Sequence, residues 1–164
     1  MAQFVHLTPA KNARRIRRAG IAMGDSFGTR PGVYCTPILP SYTLSHQWLR
    51  ELRRGGQRAF VAVHFRIDDD EAVTVGHYSD PDPRWTRAAE AIGMVWHADD
   101  PRGYEIVVPR PIRRAELTKV RRVSQVTGWR YLPDAHGRRP CPCPVCLTKG
   151  EYKAADIRRR YRHE

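Results

Sequence analysis

No apolar run in this 164-residue chain approaches the roughly 18 residues that a membrane-spanning helix needs. The opening residues, MAQFVHLTPAKN, lack the apolar stretch of a secretory signal, so the expected location is the cytoplasm and no membrane partner is expected. Internal repeats and low-complexity segments are also missing, and the length fits one domain with room for a small appendage. Acidic residues are scarce. Seventeen Asp and Glu face twenty-nine Lys and Arg, a formal net charge of +12. Such a surplus favours polyanions, so DNA, RNA or a phosphate-rich ligand is the expected partner class. Cysteine is scarce as well. Of the four present, Cys141, Cys143 and Cys146 sit together near the end and only Cys35 lies elsewhere. In a cytosolic chain that spacing points to a metal rather than to disulfides.

What is present suits a folded core. The chain is 41% hydrophobic despite 28% charged residues, which is not a disordered composition. Basic residues gather in three places: Lys11 to Arg18, Arg110 to Arg122, and Lys149 to Arg162. The one strong acidic run, Asp68-Asp69-Asp70-Glu71, lies between two strand-like stretches and reads as a solvated turn.

Patterning predicts a strand over 3–7 and a helix over 9–19, with Thr8 as its cap, Pro9 at the first helical position and Gly20 as its stop. A strand is expected over 32–36. A helix over 42–54 would bury Leu44, Trp48, Leu49 and Leu52. Residues 58–67 alternate, with Val61, Val63, Phe65 and Ile67 on one face. Together with 72–78 they read as a hairpin across the acidic turn. A further helix is expected after Asp82-Pro83, with Trp85, Ala88, Ala89 and Ile92 inward and Gly93 closing it. Strands over 103–108 and 117–127 complete an α+β domain. After Gly128 the composition shifts to Trp, Pro, Gly, His and Cys, which divides the chain into a domain at 1–127 and a Cys-rich basic tail at 128–164.

Three local patterns then line up in order. His6-Leu7-Thr8 is followed by Asn12, Ile16 and Gly20-Ile21. Gly32-Val33-Tyr34 opens the second strand. Glu105-Ile106-Val107-Val108 forms a late one. Together, over about residues 3–127, they resemble the ADP-ribosyltransferase superfamily in its His-Tyr-Glu branch, which includes poly-ADP-ribose polymerases, diphtheria-like toxins and DNA-modifying toxins. The resemblance implies a split β-sandwich with flanking helices, and NAD as substrate in a cleft between two small sheets. It implies that His6 bonds the nicotinamide ribose or the adenosine ribose, and that Thr8 fixes that strand end. Tyr34 would stack on nicotinamide, with Tyr42 as a second wall of the slot. Glu105 would bind the ribose 2′-hydroxyl and steady the cationic sugar. Glycosidic cleavage builds oxocarbenium character, so a carboxylate beside the sugar and an aromatic under the leaving base are what the chemistry requires. Leu7 stands where polymerase relatives have Gly. Position 103 is neither Gln nor Glu, so the signature of arginine- or asparagine-modifying toxins is absent. His64 and His77 read as structural or surface histidines.

In the tail, Cys141-Pro-Cys143-Pro-Val-Cys146 offers three thiolates on a loop stiffened by Pro140, Pro142 and Pro144, which suits a structural zinc. His136 is the nearest fourth ligand, with Cys35 and His163 as the alternatives. Trp129 and Tyr131 add aromatic surface that would stack on an unpaired base or pack internally.

The leading expectation is an NAD-dependent ADP-ribosyltransferase, or an NAD glycohydrolase, acting on DNA or RNA. A toxin or defence role follows from the family alone. A non-catalytic, zinc-containing nucleic-acid-binding module on the same fold is the rival. An RNA 2′-phosphotransferase-like enzyme is a third reading. The orientation of Glu105 separates the first two. The acceptor atom and the oligomeric state are not legible in the sequence.

Overall fold

The computed structural model describes residues 1–24, 31–53, 59–78, 80 and 82–125. The chain divides into two compact units, Met1–Arg130 and Tyr131–Glu164, and the described residues all belong to the first.

That unit is α+β. Its strands are β1 (Ala2–Pro9), β2 (Val33–Pro37), β3 (Phe60–Ile67), β4 (Ala72–His77), β5 (Arg84–Arg87), β6 (Tyr104–Val108) and β7 (Leu117–Arg122). Its α-helices are α1 (Ala13–Ala19), α2 (Tyr42–Ser45), α3 (Leu49–Leu52) and α4 (Ala88–Trp96). Short 3-10 turns at Ala10–Asn12 and Arg114–Glu116 lead into α1 and β7. The strands form one antiparallel order, β5-β4-β6-β2-β1-β3-β7. No described helix is long and apolar enough to cross a membrane.

Strand periodicity sorts the core into two faces. On the back, Phe4, Val33, Cys35, Val63, Phe65, Val75, Ile106 and Val108 pack beneath Ile16 of α1 and Ala88, Ala91 and Val95 of α4. Phe4 and Phe65 stack with ring centroids 5.7 Å apart. On the front, Val5, Phe60, Ala62 and Val123 pack against Leu49 of α3. The alternation read over 61–67 therefore marks the back of β3.

Helix α1 stops at Gly20, whose φ of 83° and N–H bond to the Ile16 carbonyl (2.8 Å) close the last turn. A Cβ there would lie 2.1 Å from the Ile112 oxygen. Glycine is thus required twice, by conformation and by the close approach of the chain before β7.

Four expectations are corrected. β3 and β4 do not form a hairpin: β3 pairs with β1 and β7, and β4 pairs with β5 and β6. Alternation specifies which face a residue takes, not which strand lies alongside. The acidic stretch instead carries the chain between the two halves of the sheet. Its Asp69 and Glu71 carbonyls accept the Ala89 and Ala88 N–H groups at the start of α4, meeting two of the donors that a helix N-terminus leaves open. The segment 82–87 is not helical. It supplies edge strand β5 with Trp85 exposed, and α4 runs through Gly93 to Trp96. The long helix expected over 42–54 is two single turns interrupted at His46-Gln47-Trp48. The interruption has a tertiary cause: buried Gln47 accepts the Gly103 N–H (2.7 Å) and donates to the Pro101 carbonyl (3.2 Å). Finally, Thr8 does not cap a helix. It lies within β1, and its hydroxyl accepts a bond from Asn12 Nδ2 at 3.0 Å.

Candidate functional site

The sheet is held together unevenly. β1 pairs with β3 along its whole length, from Ala2↔Ile67 to Pro9↔Phe60. With β2 it pairs only at Phe4↔Pro37 and Val5↔Thr36. Continued in register, the ladder would give the Tyr34 carbonyl the Leu7 N–H. The strands part first, and the Tyr34 carbonyl accepts His6 Nδ1–H instead, at 2.8 Å. His6 therefore sits at the fork where the two halves of the sheet separate. It lies opposite Val63 and so leaves β1 on the back, and its ring reaches the Tyr34 backbone across the opening.

That bond fixes the tautomer. A carbonyl only accepts, so the proton is on Nδ1 and the neutral ring presents Nε2 as a bare acceptor. Burial lowers the His6 pKa below its ordinary value, with the Tyr34 bond opposing. The ring is thus neutral at physiological pH.

Tyr34 and Glu105 share the front. Tyr34 pairs with Val107, which lies two residues from Glu105 and so has its parity; Val107 also pairs with Thr74, and Glu105 with Gly76. The two side chains are therefore diagonal neighbours on adjacent strands. Glu105 is partly buried, and burial pushes its carboxyl up to about 7. Among the described residues no hydrogen bond or ion pair to it is found. A desolvated carboxyl without a counter-charge beside a break in a sheet is the pattern of a functional group rather than of a structural ion pair.

The start of β6 is braced. Trp48 Nε1 donates to the Tyr104 carbonyl at 3.0 Å, Gln47 holds Gly103, and His77 packs on Tyr104 with centroids 4.0 Å apart. Thr36 Oγ1 donates to the Ser45 carbonyl at 2.7 Å, tying α2 to β2. Gln47 and Trp48 are positioning residues that sequence patterning missed. Their partners lie more than fifty positions away, so no local signal marks them.

The remaining site residues fall as follows. Tyr42 is exposed on α2; it stacks on His46 (4.2 Å) and lies under Arg121 (5.6 Å). His46 in turn faces His64, with ring centroids 6.2 Å apart. Cys35 belongs to the back core at 5% exposure and donates its thiol to the Ile106 carbonyl. Burial, and after it the Glu105 carboxylate, hold that thiol protonated, a poor state for a metal ligand. His136, Cys141, Cys143, Cys146 and His163 lie outside the described residues. Among the described residues no group of three or more His, Cys, Asp or Glu is placed to hold a metal.

The second basic cluster is partly consumed by the fold. Arg110 bonds Glu71 and Glu116, and Arg113 also reaches Glu116. Burial alone would raise the Glu116 carboxyl, but its bonds to Arg110 and Arg113 hold it at about 2. An open depression of about 440 Å³ lies at the other end of β1, lined by Met1, Gln3, Ile38, Asp69 and Ile92 among others. It contains none of His6, Tyr34 or Glu105.

Comparison of the chain with protein-family models, curated proteins and solved structures finds no match.

Proposed function

We propose that this chain is an NAD-dependent ADP-ribosyltransferase or NAD glycohydrolase whose acceptor is a nucleic acid. One observation carries the reading. His6 bridges to the Tyr34 backbone at 2.8 Å at the point where β1 and β2 part, and the partly buried Glu105 stands on the next strand, β6, on the face that Tyr34 takes. Three residues more than twenty positions apart in the chain thus come to three consecutive strands. Tyr34 and Glu105 are on the front, and His6 leaves β1 on the back, with its ring reaching the Tyr34 backbone where the sheet parts. These are the groups that a split-sheet NAD cleft would use.

The chemistry follows from these groups. The ionised Glu105 carboxylate accepts a hydrogen bond from the ribose 2′-hydroxyl and, keeping its charge, stabilises positive charge growing on the sugar. The C1′–N bond breaks, its electron pair passes to the pyridinium ring, and neutral nicotinamide leaves. Tyr34 holds the departing ring in line. The bare Nε2 of His6 accepts from a ribose hydroxyl and fixes the sugar's orientation. Water or an acceptor atom then bonds C1′ and releases a proton. Zinc on Cys141, Cys143 and Cys146, with His136 as the leading fourth ligand, would staple the tail. Near-stoichiometric zinc that falls in a Cys143→Ser variant tests that part.

The decisive test of the activity is nicotinamide release from NAD by the purified chain, with and without mixed DNA or RNA, beside Glu105→Gln. Release that depends on Glu105 supports the enzyme, and stimulation by one nucleic acid identifies the acceptor class. A folded protein that binds nucleic acid and releases nothing would favour the rival reading, a binding module. The net charge of +12 is the observation that keeps that rival in view.

A further inference from the structure

We propose that the front of the sheet carries a binding site for a phosphate group, formed by His46, His64, Lys119 and Arg121 with the Tyr42 ring at its rim. The residues converge from three elements. In the pairing of β3 with β7, Ala62 lies opposite Arg121 and His64 opposite Lys119. Ala62 belongs to the front core, so all four positions present to the front. The turn after α2 adds His46, whose ring lies 6.2 Å from that of His64 and 4.2 Å from that of Tyr42. The Arg121 guanidinium carbon stands 5.6 Å from the Tyr42 centroid.

What points to a ligand is a set of unused polar atoms. His46 is 2% exposed, and its Nδ1–H is taken by the Tyr42 carbonyl at 2.8 Å. Among the described residues its Nε2 is buried without a partner, as are Nε2 of His64 and Nε of Arg121. A buried polar nitrogen with no hydrogen-bond partner is costly, and three in one place are rarely kept without a use. The charges bearing on the two imidazoles come from Arg121, from Lys119 and from His46 acting on His64, and all are cationic. Burial first, then Arg121, His46 and Lys119, press the His64 pKa down to about 4. Two cationic side chains beside two imidazoles disfavour a metal ion and suit an oxyanion. Phosphate offers several acceptor oxygens, and charge-assisted bonds to them are the strong kind.

The tautomers add a consequence. With Nδ1–H fixed by a carbonyl, His46 Nε2 becomes a donor only by gaining a proton. Phosphate binding therefore draws protons onto the imidazoles, against Arg121 and Lys119 on β7 and beside Tyr42 on α2. Two sources supply the same group: the backbone of a nucleic acid, and the diphosphate of a dinucleotide. The site itself is independent of the NAD reading, because inorganic phosphate requires neither catalysis nor nicotinamide.

The test is calorimetric titration of the full chain with inorganic phosphate and pyrophosphate near pH 6.5, in two buffers of different ionisation enthalpy. Saturable binding with proton uptake is expected, weakened at least tenfold in Arg121→Gln and in His64→Gln. Parallel titrations with NAD and with a short single-stranded oligonucleotide identify the source as whichever loses affinity in the same variants. Absence of saturable binding by any of these ligands, or binding that both variants leave unchanged, would overturn the site. If a variant fails to fold, the wild-type histidine resonances decide. Upward movement of the His46 and His64 titrations under saturating phosphate supports the site, and unmoved titrations sink it.

Discussion

Two polar clusters on this sheet have opposite charge balance. Around Arg110, one guanidinium meets two carboxylates: Glu71 accepts at 2.8 Å and Glu116 at 2.7 Å, with Arg113 adding a longer contact to Glu116 at 3.3 Å. Every charge there has an opposite charge within bonding distance. On the front, among the described residues, Glu105 has no cation against it, and His46, His64 and Arg121 keep buried nitrogens with no hydrogen-bond partner. The first arrangement is complete as it stands and ties the acidic stretch before β4 to the segment between β6 and β7. The second is complete only when something else arrives. Folding alone explains a balanced cluster; an unbalanced one costs stability and invites a ligand as its reason.

The sharpest way to break this contrast is Glu105→Gln. If the carboxylate is the group that steadies the sugar cation, the change keeps the shape and removes the charge. Nicotinamide release should fall by a factor of roughly 10³. The pH dependence checks the same point. With a carboxyl at about 7, the active ionised form grows as pH rises from 6 to 8, and the rate of the wild-type enzyme should climb across that window. A rate that is flat there, or a variant that retains full activity, would remove Glu105 from the chemistry.

Next in size is Arg110→Leu, which opens the balanced cluster. Glu71 and Glu116 are left partly buried without their main partner, and stability should fall by about 2–3 kcal/mol in a denaturant titration. The wild-type cluster has an acid signature. Glu116 is held at about 2 in the fold, below the ordinary carboxylate range. Its stabilising contribution is therefore present above about pH 4.5 and lost as pH falls toward 2. Arg110→Leu should flatten that acid limb while leaving nicotinamide release nearly unchanged at temperatures where the variant is folded.

Glu105 carries the reverse sign. Its folded pKa is raised to about 7, so the folded state favours the protonated form. The penalty grows as pH rises from about 4.5 and is complete once pH passes about 7. Glu105→Gln should therefore gain stability of about 2 kcal/mol at pH 9 and close to nothing at pH 4. A variant that loses activity while gaining alkaline stability would show the cost of keeping a desolvated carboxyl at this position. A loss of stability at pH 9 would instead make Glu105 a structural residue.

How much of this could be read from the residues alone differs by scale. The strands at 33–37, 60–67 and 104–108 were legible because alternation and glycine punctuation are local. So was Gly20 as a helix stop. The pairing of β3 and β4 was misread because they are close in sequence, whereas β1 and β7, which flank β3, and β6, which pairs with β4, are not. The break at His46-Gln47-Trp48 was hidden for the same reason, since Gln47 and Trp48 are turned by Pro101, Gly103 and Tyr104. His6, Tyr34 and Glu105 were singled out by a family likeness rather than by physics. The front cluster left no trace beyond scattered His and Arg: β3 and β7 are far apart in the chain, and only their pairing brings His64 and Arg121 together.

The smallest effect concerns the neutral bond that holds the end of β1. Asn12 Nδ2 donates to Thr8 Oγ1 at 3.0 Å, two residues from His6 and on the same side of the strand. Thr8 is 5% exposed, so its hydroxyl is in a place where an unmet group has a cost. Asn12→Ala should destabilise the fold by about 1 kcal/mol, a shift of a few degrees in Tm. If Thr8 only fixes the strand end that carries His6, the loss should appear as a modest rise in KM for NAD with kcat nearly intact. Thr8→Val should behave alike, since it removes the same bond from the other side. A large fall in kcat from Thr8→Val with Asn12→Ala silent would mean that the threonine hydroxyl meets the substrate itself, and would move Thr8 from the frame of the cleft into its chemistry.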